Sequence, residues 1–323
     1  MLDKTLAELG ESESLRLTIG RLSSAMNVLV GPGDDAAVVK LSQESFVVTT
    51  DTMVENHDFR LDWSSGFDLG FKAVASNVAD VAAMGAKPVA LVVSIALPKN
   101  TKISWLTDFA DGLNAGISAF APEASVVGGD LAHAEQVFIS VTAHGDLNGL
   151  TPVLRSGANI GDVVAVAGTL GKAAAGLDLL FRADSATSAF DDLVSVQLRP
   201  QPPVTAGVLA NQAGATAMLD ISDSLIKDAT RLARASEVSI RIDSTQLQGF
   251  EAVLDQAAQR LGVSALDWVL FGGEDHSLLA TFPSASPIPK EFKPIGTVLG
   301  LGSASVFLDD QPVEDKGWDS IRG

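Results

Sequence analysis

Residues 66–98 set a long helical pattern, apolar on most faces, directly before a Pro-bounded run of β-branched residues. "GFDLGFKAVASNVADVAAM" (66–84) carries Phe71, Val74, Val78, Val81 and Met84 around its circumference, and Gly85 closes it. "PVALVVSIALP" (88–98) is the longest apolar run, well short of the roughly 18–20 residues a membrane helix needs, so it reads as a buried strand. Both elements therefore belong inside a core. Similar alternation runs along the whole chain. Extended patterns at 36–40, 45–50, 124–129 and 136–147 and helices over 11–23 and 101–120 fill the first half. After a polar, glycine-bearing stretch at 148–162, strands are expected at 162–168, 215–222, 238–243, 276–282, 293–298 and 304–308. Helices are expected at 170–183, 203–213, 223–236 and 247–270. The class is α/β (α+β) in two domains, 1–148 and 149–323, without repeats or low-complexity tracts.

Composition narrows the function. The chain has 323 residues, 46% hydrophobic and 19% charged, which describes a globular protein with real cores. A formal net charge of −18 argues against nucleic acid or an anionic membrane as partner. It leaves room for small phosphorylated ligands if metal ions stand between acid and phosphate. The absence of cysteine excludes disulfides, thiolate zinc sites and cysteine nucleophiles. "MLDKTLAELGESE" contains no signal-peptide apolar region, so a cytoplasmic location is expected.

The placement of the acids is the informative pattern. Asp35 lies in "GPGDDAAVV", Asp51 at the end of "SFVVTTD", Asp80 inside the apolar helix, Asp130 after "VVGG" and Asp220 after "ATAML", with Ser222 and Asp223 following. Taken singly each has a structural explanation: Asp34–Asp35 or Asp51 a turn, Ser222 or Asp223 an N-cap, Asp80 a paired core acid. Together they place five carboxylates at strand ends or within apolar elements, where uncompensated charge costs several kcal/mol each. Lys72 is the nearest cation in sequence, and it shares a polar stripe with Ser76 and Asp80, with Asn77 three residues before Asp80. Divalent cations with hard oxygen ligands are the economical partner, and Mg²⁺ also takes substrate phosphates. No P-loop, no kinase His-Arg-Asp or Asp-Phe-Gly set and no His-Glu-x-x-His is present.

In order, "GPGDDAAVV", "TTDTMVE", "NVADVAAMGAKP", "GGD", "RSGA", "LDISDSL" and "FGGED" resemble the thiamine-monophosphate kinases, a family grouped with aminoimidazole ribonucleotide synthetase and selenophosphate synthetase. The resemblance runs from about residue 10 to residue 320. It implies a two-domain fold of that superfamily, with the N-terminal domain forming a homodimer. It also implies ATP-dependent, Mg²⁺-assisted phosphorylation of thiamine monophosphate to thiamine diphosphate, the last step in making that cofactor. By the same resemblance Asp35, Asp51 and Asp80 would carry Mg²⁺ with help from Thr49 and Thr50, and Asp130 would hold another ion with Gly129 near ATP. Arg155 would touch the nucleotide phosphates. Asp220 and Asp223 would hold metals by the γ-phosphate and Ser222 would contact ATP; Asp51, Asp80 and Asp220 form the catalytic set. Glu274 and Trp318 would line the thiamine end, together with either His57 or Asp58.

Two departures stand out. Ser224 occupies the place of the family's usual glycine after Ser222-Asp223. Asp58 occupies the family's usual histidine slot, with His57 one residue earlier. The cysteine-dependent relatives fit poorly, since the chain has none. The synthetase shares the fold, but "GGED" and Trp318 favour the kinase. The chemistry needs no general base, because a phosphate monoester with second pKa near 6 is already largely anionic at neutral pH.

Overall fold

The computed structural model describes residues 4–9, 14, 17–23, 25–30, 38–41, 45–182, 187–300, 305–314 and 316–317. The chain divides into two compact units, Met1–Val81 with Ala86–Gly149 and Ala82–Gly85 with Leu150–Gly323.

The N-terminal unit begins with a helical turn, α1 (Leu6–Leu9), and an antiparallel pair, β1 (Val28–Val30) and β2 (Val38–Val39). Then come β3 (Val47–Val54), α2 (Gly66–Ala83), β4 (Lys87–Leu97), α3 (Ile103–Phe120), β5 (Val126–His133) and β6 (Phe138–Asp146). The sheet order is β3-β6-β4-β5, with β6 antiparallel to both neighbours and β4–β5 parallel. A capping box starts α2: Ser65 N–H donates to Asp68 Oδ2 (2.9 Å) and Asp68 N–H to Ser65 Oγ (3.2 Å). Gly85 at φ 72 ends it, in the left-handed conformation that glycine adopts at no steric cost. Helices α2 and α3 approach closely: a Cβ at Gly70 would stand 2.1 Å from the Phe109 carbonyl oxygen, so only glycine fits there. One sheet face, with Met53, Val93, Ile95, Ile139 and Val141, is buried. The opposite face leaves Val48 and Phe138 exposed among Thr50, Thr52, Ser94 and Ser140.

The C-terminal unit contains β7 (Val163–Ala167), α4 (Lys172–Arg182), a 3₁₀ turn at Thr187–Phe190, α5 (Asp191–Leu198) and α6 (Val204–Gln212). They are followed by β8 (Ala217–Ile221), α7 (Leu225–Ala235), β9 (Ser239–Ile242), α8 (Ser244–Glu251), α9 (Asp255–Leu261) and α10 (Ala265–Phe271). Strands β10 (Ser277–Phe282), β11 (Phe292–Leu299), β12 (Val306–Leu308) and β13 (Gln311–Pro312) complete it. Its seven strands run β13-β12-β9-β11-β7-β10-β8, antiparallel except for β12–β9. Val164, Val166, Leu219, Ile221 and Leu279 form the sheet side of a core completed by Leu225, Leu232, Leu247 and Trp268.

Several elements differ from expectation. Asp51 and Asp130 do not end their strands; each sits inside one, because an acid facing water leaves the backbone ladder intact. Asp220 is likewise within β8. The helices expected over 247–270 number three, the first starting earlier at Ser244: Gly262 at φ 68 closes α9, and Ser264 Oγ accepts Asp267 N–H at the start of α10. Helix α5, "DDLVSVQL", falls where the sequence pattern predicts no element.

Candidate active site

In the N-terminal unit, strand alternation and helical spacing meet. Thr49 and Asp51, two residues apart, share the β3 face against α2. Asn77 and Asp80, one turn apart, share the α2 face against β3. Thr49 Oγ1 donates to Asp80 Oδ2 (2.9 Å), and Asp51 N–H donates to Asn77 Oδ1 (3.1 Å). Asn77 is held in turn by donating Nδ2 to the Ala73 carbonyl (2.9 Å). The Asp51 carboxylate is exposed, accepts only the Thr52 N–H (2.8 Å) and enters no ion pair among the described residues. Of the expected polar stripe, Lys72 and Ser76 are buried and only Asp80 reaches partial exposure. Thr50 faces the other way: its hydroxyl donates to the Val141 carbonyl (2.9 Å) and accepts from Thr142 (3.2 Å).

Asp130 stands in register with Ser94 on that same outer face, opposite in pleat to Asp51, which is in register with Val141 and so on the Val93 face. Gly129 precedes it where a Cβ would lie 2.1 Å from the Val93 carbonyl oxygen. Beyond β3, Asp58 Oδ2 accepts the Val54 N–H (2.7 Å) and closes the turn, while His57 is exposed. Asp34, Asp35 and Trp318 lie outside the described residues. Among the described ones, no three His, Asp or Glu side chains converge as a ready-made metal cage. The β3–α2 donors are all hard oxygens, from Asp51, Asp80, Thr49 and Asn77, a set that suits Mg²⁺.

The C-terminal unit arranges its acids differently. Asp220, on β8, is buried, and His276 Nδ1 lies 3.6 Å from its Oδ2. The loop 222–224 then turns into α7. Asp223 pairs with Arg231 Nη2 at 2.6 Å and Lys227 Nζ at 3.5 Å. Asp228, 1% exposed, accepts backbone N–H groups from Ser222 (3.1 Å), Asp223 (3.0 Å) and Ser224 (3.2 Å), all on Oδ2. Its Oδ1 accepts Arg231 Nη1 at 2.6 Å. Burial first, and then the Asp220 charge, push the Asp228 carboxyl up to about 6, against the pull of Arg231 and the backbone donors. Ser224, where a glycine was expected, adopts φ 156 and ψ 160, and its Oγ caps α7 by accepting Lys227 N–H (3.1 Å).

The "GGED" loop docks on this turn. Glu274 N–H donates to the Ser222 carbonyl (2.8 Å), and a Cβ at Gly273 would sit 2.4 Å from the same oxygen. Glu274 and His276 both hold positive φ, 65 and 50. Glu274 Oε2 accepts Gln197 Nε2 from α5 at 2.6 Å. Between them, Asp275 is buried; burial raises its pKa, opposed by Thr169 Oγ1 (2.6 Å) and by backbone N–H groups at the start of α4. Arg155 is exposed, and its carbonyl accepts Ser236 Oγ (2.7 Å).

Sequence reasoning missed Asp228, Arg231 and Gln197. The first two left a signal: Asp223, Lys227 and Arg231 recur at i, i+4 and i+8, and Asp228 lies three residues before Arg231 at helical spacing. Gln197 left none, because nothing marked α5 as a helix.

A family model described as AIR synthase related protein, N-terminal domain, matches residues 33–147. The thiamine-monophosphate kinase of Mycobacterium tuberculosis (strain H37Rv) is 43% identical over 319 residues, 98% of this chain and 93% of that protein. The Corynebacterium glutamicum thiamine-monophosphate kinase is 38% identical over 324 residues, 98% of this chain and 95% of that protein. Among solved structures, the Aquifex aeolicus enzyme complexed with AMPPCP and TMP superposes with a TM-score of 0.77 at 32% identity, over 98% of this chain and 99% of that one.

Proposed function

The chain belongs to the thiamine-monophosphate kinase family, and from that premise we propose that it transfers the γ-phosphoryl group of ATP to thiamine monophosphate, giving thiamine diphosphate. The observation that carries this reading is the pairing of Thr49 and Asp51 on β3 with Asn77 and Asp80 on α2, an oxygen-only donor set. Phosphoryl transfer between two phosphate groups asks for that. The acceptor is already anionic at neutral pH, so positioning and charge neutralisation remain as the work.

Asp51 and Asp80 would hold Mg²⁺ with Thr49, and with Asp35 from outside the described residues. Asp130 would hold a further ion on the outer sheet face beside Gly129, and Asp220 and Asp223 would hold theirs at the β8–α7 turn. When bound, Mg²⁺ neutralises phosphate charge and polarises the transferring group. The protein's own part is orientation. Asn77 fixes the Asp51 backbone, Thr49 fixes the Asp80 carboxylate, and the turn 222–224 presents Ser222 to the nucleotide. Arg155, exposed, suits the nucleotide phosphates. Glu274, anchored by Gln197, suits the thiamine end together with Trp318. Asp58 is engaged in its own turn, which favours the exposed His57 as the substrate contact there.

Residues 1–148 would serve as the ATP- and Mg²⁺-binding, dimerising domain and 149–323 as the second α/β domain. The outer face of the four-stranded sheet, with Val48 57% and Phe138 39% exposed, supports a homodimer built on that face. No helix among the described residues is long and apolar enough to cross a membrane, and a cytoplasmic enzyme is the accompanying reading. Incubating the purified chain with ATP, Mg²⁺ and thiamine monophosphate should yield thiamine diphosphate with stoichiometric ADP. Folded protein that forms no thiamine diphosphate under those conditions would overturn the assignment.

A further inference from the structure

We infer that Asp228 and Arg231 are positioning residues for nucleotide binding, which set the conformation of the turn 222–224 and the direction of the Asp223 side chain. This rests on the proposed nucleotide role of Ser222 and Asp223.

Three observations converge. First, one carboxylate oxygen of Asp228 collects three consecutive backbone N–H groups, from Ser222, Asp223 and Ser224. A helix N-cap needs one or two such bonds, and here Ser224 Oγ already supplies a cap to Lys227 N–H. Second, the turn those bonds hold is strained. Ser224 at φ 156, ψ 160 lies in a region that is essentially glycine's, and such conformers persist only where the surroundings over-determine them. The buried Asp228 carboxylate is the group that does so from the α7 side. Third, the Arg231 guanidinium forks between two acids, Nη1 to Asp228 and Nη2 to Asp223, both at 2.6 Å. A planar fork that bridges two carboxylates fixes their relative direction, which a lysine point charge cannot do. Burying a carboxylate at this depth is costly, and an apolar side chain would fill the same space without that cost. Its arrangement is explained by what the turn must present: Ser222 with a set backbone and Asp223 with a set side chain. The same turn carries the Ser222 carbonyl that receives Glu274 N–H, so its shape reaches the "GGED" loop as well.

The test combines direct binding with a kinetic split. AMPPCP affinity is measured by calorimetry with Mg²⁺, alongside the KM for ATP, the KM for thiamine monophosphate and the melting temperature, for the wild type, Asp228→Ala, Asp228→Asn, Arg231→Lys and Arg231→Gln. Asp228→Ala should weaken AMPPCP and raise the KM for ATP by about 10-fold or more, the loss of charge-assisted hydrogen bonds. Asp228→Asn, which keeps an oxygen for the backbone donors, should recover part of that. Arg231→Lys should weaken AMPPCP about as much as Arg231→Gln, roughly 3–10-fold, because the fork and not the charge does the positioning. The KM for thiamine monophosphate should rise less than the KM for ATP, since the Glu274 carboxylate is held separately by Gln197 and meets the turn only through its backbone N–H. A fall in melting temperature with unchanged AMPPCP affinity in the soluble variants would show a purely structural role and overturn the inference. Full rescue by Arg231→Lys would overturn the positioning role of Arg231. If Asp228→Ala fails to fold, the two Arg231 variants and Asp228→Asn decide the matter. Wild-type protein that binds AMPPCP but forms no thiamine diphosphate would sink the proposed substrate while leaving this inference testable by calorimetry alone.

Discussion

The β3–α2 site and the β8–α7 turn both gather acids, and they solve the problem of acid charge in opposite ways. On β3, Asp51 is exposed and enters no ion pair among the described residues. Its neighbours are neutral oxygens and amides that fix its backbone without cancelling its charge. At the β8–α7 turn the protein supplies its own counter-charges: Arg231 on Asp223 and Asp228, and Lys227 on Asp223. The first arrangement leaves its electrostatic demand to a ligand. The second meets that demand internally and gains a rigid loop. A carboxylate whose charge is uncommitted should therefore matter more to catalysis, and one already paired more to shape.

Comparing Asp51→Asn with Asp223→Asn tests this contrast most strongly. Loss of an electrostatic partner of the transition state costs on the order of 10²-fold or more in turnover, and Asp51→Asn should reach that scale with the fold retained. Asp223→Asn should cost less, about 10-fold, because Arg231 and Lys227 already offset that charge and remain to meet phosphate. Equal losses in steady-state kinetics would erase the distinction.

A smaller effect separates two adjacent hydroxyls. Thr49→Val removes the donor to Asp80 and should lower kcat by roughly 5–10-fold, about the worth of one ordinary hydrogen bond. Thr50→Val, on the other sheet face, should leave kcat within about twofold. A reversed ranking would show that the β3 faces have been assigned to the wrong chemistry.

Mg²⁺ without substrate should raise the melting temperature by a few degrees at ~100 times its dissociation constant, the equivalent of ~2.7 kcal/mol of linkage. Asp51→Asn should lose more of that shift than Asp223→Asn, because Arg231 and Lys227 already offset the Asp223 charge. A wild-type melting curve that Mg²⁺ leaves in place, at matched ionic strength, would show that the exposed acids do not gather the ion unaided.

The smallest effect concerns Asp275. Burial raises its pKa above the ordinary 3.8, so the folded state binds a proton there more tightly than the unfolded chain. Its contribution to stability is present at acid pH and is lost as pH rises through the folded pKa. Asp275→Asn lacks that loss, so its melting temperature relative to wild type should climb as pH is raised from about 4 towards neutrality. A constant difference across that range would mean that Thr169 and the α4 backbone fully offset the burial of the charge.

Much of this architecture was legible in residue order. The helix expected over 66–84 ends one residue earlier, at Ala83, and its cap, its glycine stop and the polar edge at Asn77 and Asp80 all follow from local rules. The strand after it is equally local. Strand ends were not: Asp51 and Asp130 read as terminators because acids usually punctuate strands, yet each lies mid-strand where its face meets water. Helix α5 escaped notice because its eight residues carry no clear apolar period, and with it went Gln197 and the anchoring of Glu274.

The sequence by itself determined which residue types are available for chemistry: many carboxylates, no thiol and four histidines. Helical spacing also sets Asn77 beside Asp80, and Thr49 and Thr50 are both expected to help Asp51. Only the tertiary structure decided that Thr49 and Asp51 face Asn77 and Asp80, that Thr50 and Asp130 turn to the opposite side of the sheet, and that one buried carboxylate at Asp228 holds the turn before α7. The physical reason is range. Periodicity and capping act within a few residues of chain, whereas a hydrogen bond from residue 49 to residue 80, or from residue 197 to residue 274, exists only once the strands have paired and the helices have packed against them.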